Sequence, residues 1–135
     1  MKLKIITLFT GLCFILISSI ALADIAVIVN SGNSTSANQQ DIKKIFLGKK
    51  TSMKPIDQAE GSAIRDGFYQ KIAGKNVSQM KAYWSKMIFS GKAIPPEVSS
   101  DDASIKEWII KNPNGIAYIN SSSVDASIKV LLTIK

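Results

Sequence analysis

Residues 25–29 read Ile25-Ala26-Val27-Ile28-Val29, an unbroken apolar run rich in β-branched side chains. Such a run is typical of a strand buried on both faces of its sheet, as in α/β proteins. A polar loop follows, and the spacing Ser36-x-x-Gln39 has the form of a capping box that opens a helix. The apolar face of that helix is supplied by Ile42, Ile45 and Phe46. The stretch therefore predicts the strand-loop-helix unit from which α/β folds are built.

The rest of the chain continues this alternation of helices and strands. Residues 54–57 are predicted to be extended, and residues 116–119 and 130–134 to form two further strands. Apolar residues at helical spacing predict three more helices, which carry Ile64, Phe68 and Ile72, then Met80, Trp84, Met87 and Ile88, then Ile105, Trp108 and Ile109. Because no internal repeat or linker interrupts this order, we predict one α/β domain, with a small mixed sheet flanked by about four helices.

The amino terminus has the layout of a secretory signal peptide. Two lysines in residues 1–4 precede an apolar run at residues 5–20, and Ala21-Leu22-Ala23 ends it with the small residues that a signal peptidase accepts. A retained membrane anchor is the alternative, because the run is near the lower length limit of a spanning helix. Since no basic stop-transfer cluster follows, residues 1–23 are predicted to be removed and residues 24–135 to be the exported domain.

The exported domain lacks the residues on which most catalytic and metal sites depend. The chain contains no histidine, and its single cysteine, Cys13, lies inside the apolar run of the signal peptide. Hydrolytic triads, the usual zinc sites and thiol chemistry are therefore excluded from the domain. We predict a protein that is not an enzyme and that uses neither a cofactor nor a metal.

The charge of the chain favours an anionic partner. Removal of Lys2 and Lys4 with the signal peptide lowers the formal net charge from +7 to +5. A surplus of this size suits phosphate-like solutes, lipid headgroups or nucleic acid. Export and the scattered placement of the lysines make nucleic acid the least suitable of the three. The alternative interpretation is that the charge only keeps the domain soluble.

Two loops have the construction of an anion site. Each follows an extended segment, is rich in hydroxyls or glycine and opens a helix, so free N–H groups and the positive helix end point into it. The first loop includes Ser34, Thr35 and Ser36, and the second includes Gly61, Ser62 and Arg65. Hydroxyls at these positions could equally be simple helix caps, and Arg65 could pair with Asp66 or another acid. Glu60 would repel an anion unless it turned away.

The order of four segments gives the chain a family resemblance. DIKKIFLGK at residues 41–49, GSAIRDGF at 61–68, YW at 83–84 and NPNGIAY at 112–118 together resemble the phosphate-binding components of ABC transporters. They are most similar to the short phosphate-transporter substrate-binding-like proteins of Gram-negative bacteria. The resemblance covers nearly all of residues 24–135 and implies a type II periplasmic binding protein fold, reduced in size, and a periplasmic location.

The resemblance also implies a set of anion ligands. The family's Gly-Ser-Gly-Thr-Arg segment falls on residues 61–65, where Gly61, Ser62 and Arg65 match, whereas Ala63 and Ile64 lack the expected glycine and hydroxyl. Asp57 stands where an arginine is often found. Ser34, Thr35 and Ser36 match the family only in kind. The family has two lobes that close on the solute, and the exported chain is long enough for one lobe or a much reduced pair.

Two functional hypotheses follow from this resemblance. The first is a periplasmic solute-binding protein that captures an inorganic oxyanion, phosphate above all, and delivers it to an ABC transporter permease. The second is an envelope interaction or sensing module that reuses a shortened binding-protein fold and docks a partner or a second copy of itself. Neither hypothesis includes a nucleic acid, nor stable membrane insertion once the signal peptide is cleaved.

Overall fold

A computed structural model describes residues 23–135. The predicted signal peptide, apart from Ala23, lies outside the described residues, so its cleavage remains a prediction. Within residues 23–135, none of the helices combines the length and the hydropathy that a membrane crossing requires.

The described chain contains five strands and four α-helices. The strands are β1 Ile25–Asn30, β2 Lys54–Gln58, β3 Glu97–Ser99, β4 Gly115–Asn120 and β5 Ile128–Ile134. The helices are α1 Gln39–Phe46, α2 Ala63–Ala73, α3 Val77–Phe89 and α4 Asp102–Lys111, and a short 3₁₀ turn occupies Ser121–Ser123. The predicted α/β class, with a small mixed sheet and four helices, is confirmed.

The five strands form one open sheet in the order β3-β2-β4-β1-β5. β2 runs parallel to both β3 and β4, whereas β1 runs antiparallel to both β4 and β5. Ile25 therefore lies opposite Asn120, and Val29 lies opposite Ile116. As a consequence, β1 ends at the edge of the sheet where β2 and β4 begin.

The central strands β1 and β4 are buried on both faces, as the apolar run of β1 predicts. Side chains alternate along each strand, so Val27 and Tyr118 face α1, α2 and α3, whereas Ile28 and Ala117 face α4. The larger cluster holds the aromatic side chains Phe46, Phe68, Tyr69, Trp84 and Tyr118. Trp108, predicted on the buried face of its helix, is half-buried and packs beside the smaller cluster.

Two local features differ from the sequence prediction. Helix α1 is capped by Asn38 and not by Ser36: the Asn38 side chain accepts a bond from the N–H of Asp41, and the Asp41 carboxylate accepts one from the N–H of Asn38. An Asn-x-x-Asp pair has the same geometry as the Ser-x-x-Gln pattern and lies closer to the apolar face. The segment after Ile94, predicted to be a loop, contains the three-residue strand β3, which exists only through its pairing with β2.

The position of this cap is testable by substitution. Asn38→Ala should lower the free energy of unfolding by about 1 kcal/mol, because the N–H of Asp41 loses its acceptor at a helix start. Ser36→Ala, two residues upstream and exposed, should leave it unchanged. Urea unfolding of the two variants gives both values, and a larger loss for Ser36→Ala would restore the original cap assignment.

Candidate functional site

The second predicted anion loop lies at the carboxyl end of β2, where α2 begins. Gly61 has a φ of 84°, a left-handed conformation that glycine adopts without steric strain. Ser62 is the N-cap of α2, and its Oγ accepts a hydrogen bond from the backbone N–H of Arg65 at 3.4 Å. The N–H groups of Ala63 and Ile64 donate no hydrogen bond to any described residue. The helix start therefore offers free donors to an anion.

Arg65 is held by a buried acid and not by Asp66. Its Nε lies 3.4 Å from Oδ2 of Asp57, and the carboxylate of Asp57 is almost completely buried. The guanidinium also lies 5.2 Å from the centre of the Tyr69 ring, a cation–π contact. Within the described chain, neither terminal nitrogen of Arg65 donates a hydrogen bond. One side of the guanidinium is thus fixed in place, and the other side keeps its donors.

Asp57 is the centre of a polar cluster on the aromatic face of the sheet. Its carboxylate accepts hydrogen bonds from the Tyr69 hydroxyl at 2.6 Å, from the Tyr118 hydroxyl and from the N–H of Gln58 at 2.8 Å. Together with the Nε of Arg65, these donors occupy both carboxylate oxygens. Such saturation compensates for the loss of hydration that burial imposes on a charge.

The surroundings of Tyr69, Tyr118 and Arg65 in this cluster favour their protonated forms. Burial raises the pKa of both Tyr69 and Tyr118, and the charge of Asp57 raises each further. Both hydroxyls therefore keep their protons and donate to Asp57. Partial burial is the largest single effect on Arg65 and disfavours its charge, but the charge and hydrogen bond of Asp57, together with Tyr69 and Tyr118, raise the pKa of Arg65 overall.

A second carboxylate joins the neighbouring strand ends. Asp102, the first residue of α4, accepts hydrogen bonds from Nε2 of Gln58 at 2.8 Å and from Oγ of Ser123 at 2.7 Å. It also accepts bonds from the backbone and side-chain nitrogens of Asn120, both at 3.1 Å. Asp101 is the N-cap of α4, and its side chain accepts a hydrogen bond from the N–H of Ser104 at 2.7 Å. Asp102 therefore connects the carboxyl ends of β2 and β4 to the start of α4.

The acids beside the loop differ in their surroundings. Glu60 turns toward α3, where its Oε1 lies 3.3 Å from Nζ of Lys81, and both side chains are exposed. Asp66 stands in the first turn of α2, and its buried Oδ1 has no hydrogen-bond partner among the described residues. Glu60 is thus offset by a lysine, whereas Asp66 adds negative charge next to Arg65.

The first predicted loop is anchored at the other edge of the sheet. Asn33 follows the end of β1, donates to the carbonyl of Pro113 at 2.9 Å and accepts from Nζ of Lys129 at 3.1 Å. Ser34, Thr35 and Ser36 come next, are exposed and make no hydrogen bond to residues 61–65. The structure therefore brings Gly61, Ser62 and Arg65 together and joins none of the three hydroxyl residues to them.

Sequence reasoning missed the residues that hold Arg65. Arg65 and Tyr69 are four positions apart on α2, so this spacing could have placed them on one helix face toward Asp57. The Tyr118 contact has no comparable signal, because Tyr118 is 61 positions from Asp57 and reaches it only through the pairing of β2 with β4.

No protein-family model and no curated protein sequence matches this chain. Solved structures do. An ABC-type phosphate transport receptor from Vibrio cholerae matches 81% of this chain with a TM-score of 0.63 and 17% identity. A protein assigned as a phosphate ABC transporter substrate-binding protein, from Clostridium perfringens and with bound phosphate, matches 81% of the chain with a TM-score of 0.64 and 24% identity. A proposed phosphate-binding protein from Planctomyces limnophilus matches 81% with a TM-score of 0.59 and 13% identity.

The matched region is less than half of each solved chain. It covers 46% of the V. cholerae receptor, 45% of the C. perfringens protein and 41% of the P. limnophilus protein. At these identities the likeness concerns the fold. The chain therefore has an α/β fold similar to part of the phosphate receptors of ABC transporters.

Proposed function

We propose that the exported domain binds an inorganic oxyanion, phosphate first, at the junction of β2 and α2. The observation that carries the proposal is the Arg65 guanidinium, fixed on one side by Asp57 at 3.4 Å, with its terminal nitrogens free of described partners beside the capped start of α2. Planar guanidinium donors suit phosphate oxygens, and the positive end of a helix favours an anion. No bond is made or broken in this function.

The overall charge of the site limits the affinity that we expect. Asp57 offsets the charge of Arg65, so attraction must come largely from the guanidinium N–H groups, the Ser62 hydroxyl and the backbone N–H groups of α2. Such donors select by geometry, because a donor left unpaired by the wrong ligand costs about 1–3 kcal/mol. We therefore expect a modest affinity for phosphate together with a clear selectivity among oxyanions.

Periplasmic location and delivery to an ABC transporter permease belong to the same proposal. Residues 1–23 have the layout of the signal peptide that export requires, and two of the fold relatives are described as ABC-transporter receptors or substrate-binding proteins. The chain spans less than half the length of those proteins, so delivery to a permease and any contribution from a second copy or a partner are part of the proposal.

Arg65→Ala tests the site directly. Loss of charge-assisted hydrogen bonds worth about 1.5–3 kcal/mol should weaken phosphate binding at least tenfold. The measurement is isothermal titration of residues 24–135 with phosphate, and with sulfate and molybdate as competing oxyanions. Lys71→Ala is the matched control, because it removes one positive charge from the last turn of the same helix.

Three outcomes decide the assignment. An unchanged phosphate affinity in Arg65→Ala would remove Arg65 from the site, and the absence of binding with all three anions would contradict the proposed function. The combined substitution of Ser34, Thr35 and Ser36 by alanine should weaken binding less than Arg65→Ala does, since these residues make no hydrogen bond to residues 61–65. An equal loss would place the first loop in the site as well.

A further inference from the structure

The end of α3 and the segment that follows it carry an unusual set of exposed apolar side chains. Phe89 is 96% exposed and Ile94 is 81% exposed, and Ile88 and Val98 are more than half exposed. We name these four residues the 88–98 patch. Large apolar side chains that are this exposed mark a contact site when several occur together.

The chain before the patch and through most of it carries charge of one sign, and the exception, Glu97 beside Val98, pairs with Lys54 at 3.2 Å. Residues 67–96 contain no aspartate or glutamate and five lysines, Lys71, Lys75, Lys81, Lys86 and Lys92. Lys86 lies just before the patch and Lys92 lies within it. Both are exposed, and neither takes part in an ion pair among the described residues. The patch is therefore apolar at its tip and cationic beside it.

The patch is presented by a well-anchored support. Met80 and Trp84 of α3 are buried in the larger core cluster, which fixes the helix that ends at Phe89. Pro95 and Pro96 follow Ile94 directly and restrict its backbone. The backbone of the patch therefore loses little conformational freedom when the patch binds a partner.

A groove adjoins the patch on the side of the sheet where β2 begins. It has a volume of about 480 Å³, and its apolar walls include Met53, Trp84 and Ile94. Of the three lysines that line it, Lys50 pairs with Asp41 at 2.9 Å and Lys54 pairs with Glu97 at 3.2 Å, whereas Lys92 has no acidic partner among the described residues. The groove extends the apolar surface, while Lys86 and Lys92 supply the unpaired charge.

We propose that the 88–98 patch docks the domain on the surface of a lipid bilayer that contains anionic headgroups. Phe89 and Ile94 would enter the boundary between headgroups and acyl chains, and Lys86 and Lys92 would contact the headgroup phosphates. A phenylalanine side chain that makes almost no contacts within the domain can insert into a fluid lipid phase, which needs no preformed pocket. A rigid protein partner would need a pocket shaped for it. The acid-free stretch supplies the charge complementarity.

This docking is peripheral and separate from the proposed anion site. The groove begins beside Lys54 at the amino end of β2, whereas Arg65 follows the carboxyl end of that strand. The proposal therefore does not depend on phosphate binding, and no spanning helix is required for it.

Vesicle co-sedimentation tests the proposal. Residues 24–135 hold every described strand and helix and both core clusters, and they avoid the apolar run of the signal peptide. This domain should sediment with phosphatidylcholine vesicles that contain phosphatidylglycerol and not with pure phosphatidylcholine vesicles. Partitioning of the double variant Phe89→Ser, Ile94→Ser should fall at least tenfold, because two apolar side chains lose their burial. Ile110→Ser, half-exposed on α4, is the matched control and should partition like the unaltered domain.

The charge contribution has its own variant. Lys86→Gln combined with Lys92→Gln should lower partitioning at least fivefold at low salt and flatten its salt dependence. The proposal is overturned if anionic vesicles do not retain the domain, or if Ile110→Ser loses as much binding as the patch variant. It is also overturned if light scattering shows that the domain is a dimer and that the patch variant is a monomer, because the patch would then join two copies of this chain.

Discussion

Replacing Asp57 with alanine should lower the free energy of unfolding by about 3–5 kcal/mol, because the substitution breaks a buried ion pair and leaves its partners unsatisfied. Asp57 is 1% exposed and accepts bonds from Arg65, Tyr69, Tyr118 and the N–H of Gln58. Water cannot replace these bonds unless the site opens. Since small domains are stable by only about 5–15 kcal/mol, this loss is a large fraction of the total stability.

Urea unfolding followed by circular dichroism measures this loss. Tyr118→Phe removes one donor and keeps the ring, so its expected loss is about 1–3 kcal/mol, clearly below that of Asp57→Ala. Asp101→Ala is the control for a carboxylate on the surface, where only a helix cap is lost and about 1 kcal/mol is expected. If Asp57→Ala were no more destabilising than Asp101→Ala, the buried cluster would not stabilise the fold.

Phe68→Ala should lower the free energy of unfolding by about 3–5 kcal/mol, because it leaves a cavity at the centre of the aromatic cluster. Phe68 is fully buried and stacks on Tyr118 with ring centres 3.8 Å apart. It also makes T-shaped ring contacts with Phe46 and Tyr69, whose ring centres lie 4.9 Å and 5.3 Å from its own. The cavity would also loosen Tyr69 and Tyr118, and with them the bonds that hold Asp57.

The chain supplies a close control for this cavity. Phe89→Ala makes the same chemical change on another helix, but the Phe89 side chain is almost wholly exposed, so stability should change by less than about 0.5 kcal/mol. Thermal unfolding of the two variants gives the comparison. Equal losses would mean that Phe89 is packed against something in the folded protein, such as a second copy, and would contradict the exposed position described here.

Several parts of the fold were predictable from sequence because their signals are local. The apolar run at residues 25–29 predicted a strand buried on both faces, and β1 is such a strand. Helical spacing predicted α2 and α3, whose buried residues include Phe68 and Trp84. Hydrophobic burial acts on each segment separately, so its periodicity is visible before the segments meet.

The sequence did not predict β3, which forms only when two segments that are distant along the chain pair with each other. β3 has only three residues, and two of them are exposed, so no alternation marks it as a strand. Its existence depends on the backbone donors and acceptors of β2. The Ser36-x-x-Gln39 pattern predicts the cap of α1 two residues too early, because the Asn38-x-x-Asp41 pattern overlaps it and the helix begins after Asn38.

The candidate site shows the same division. Glycine, a hydroxyl and an arginine at residues 61–65 predict a helix start that could hold an anion, and α2 does begin there, with Ser62 as its N-cap. Because β1 runs antiparallel to β4, the hydroxyl loop at residues 34–36 lies at the edge of the sheet opposite the one where residues 61–65 lie. Strand direction is a property of the whole sheet, and no residue within the loop reports it.

The sequence by itself determined the α/β class, the order of most elements and the absence of histidine and of a thiol from residues 24–135, because these depend on composition and local periodicity. Only the tertiary structure decided that Asp57 holds Arg65, that Tyr69 and Tyr118 donate to the same carboxylate, and that Phe89 stands in solvent. The physical reason is that a buried charge must find its donors wherever the fold brings them. Here the fold brings them from two strands and a helix.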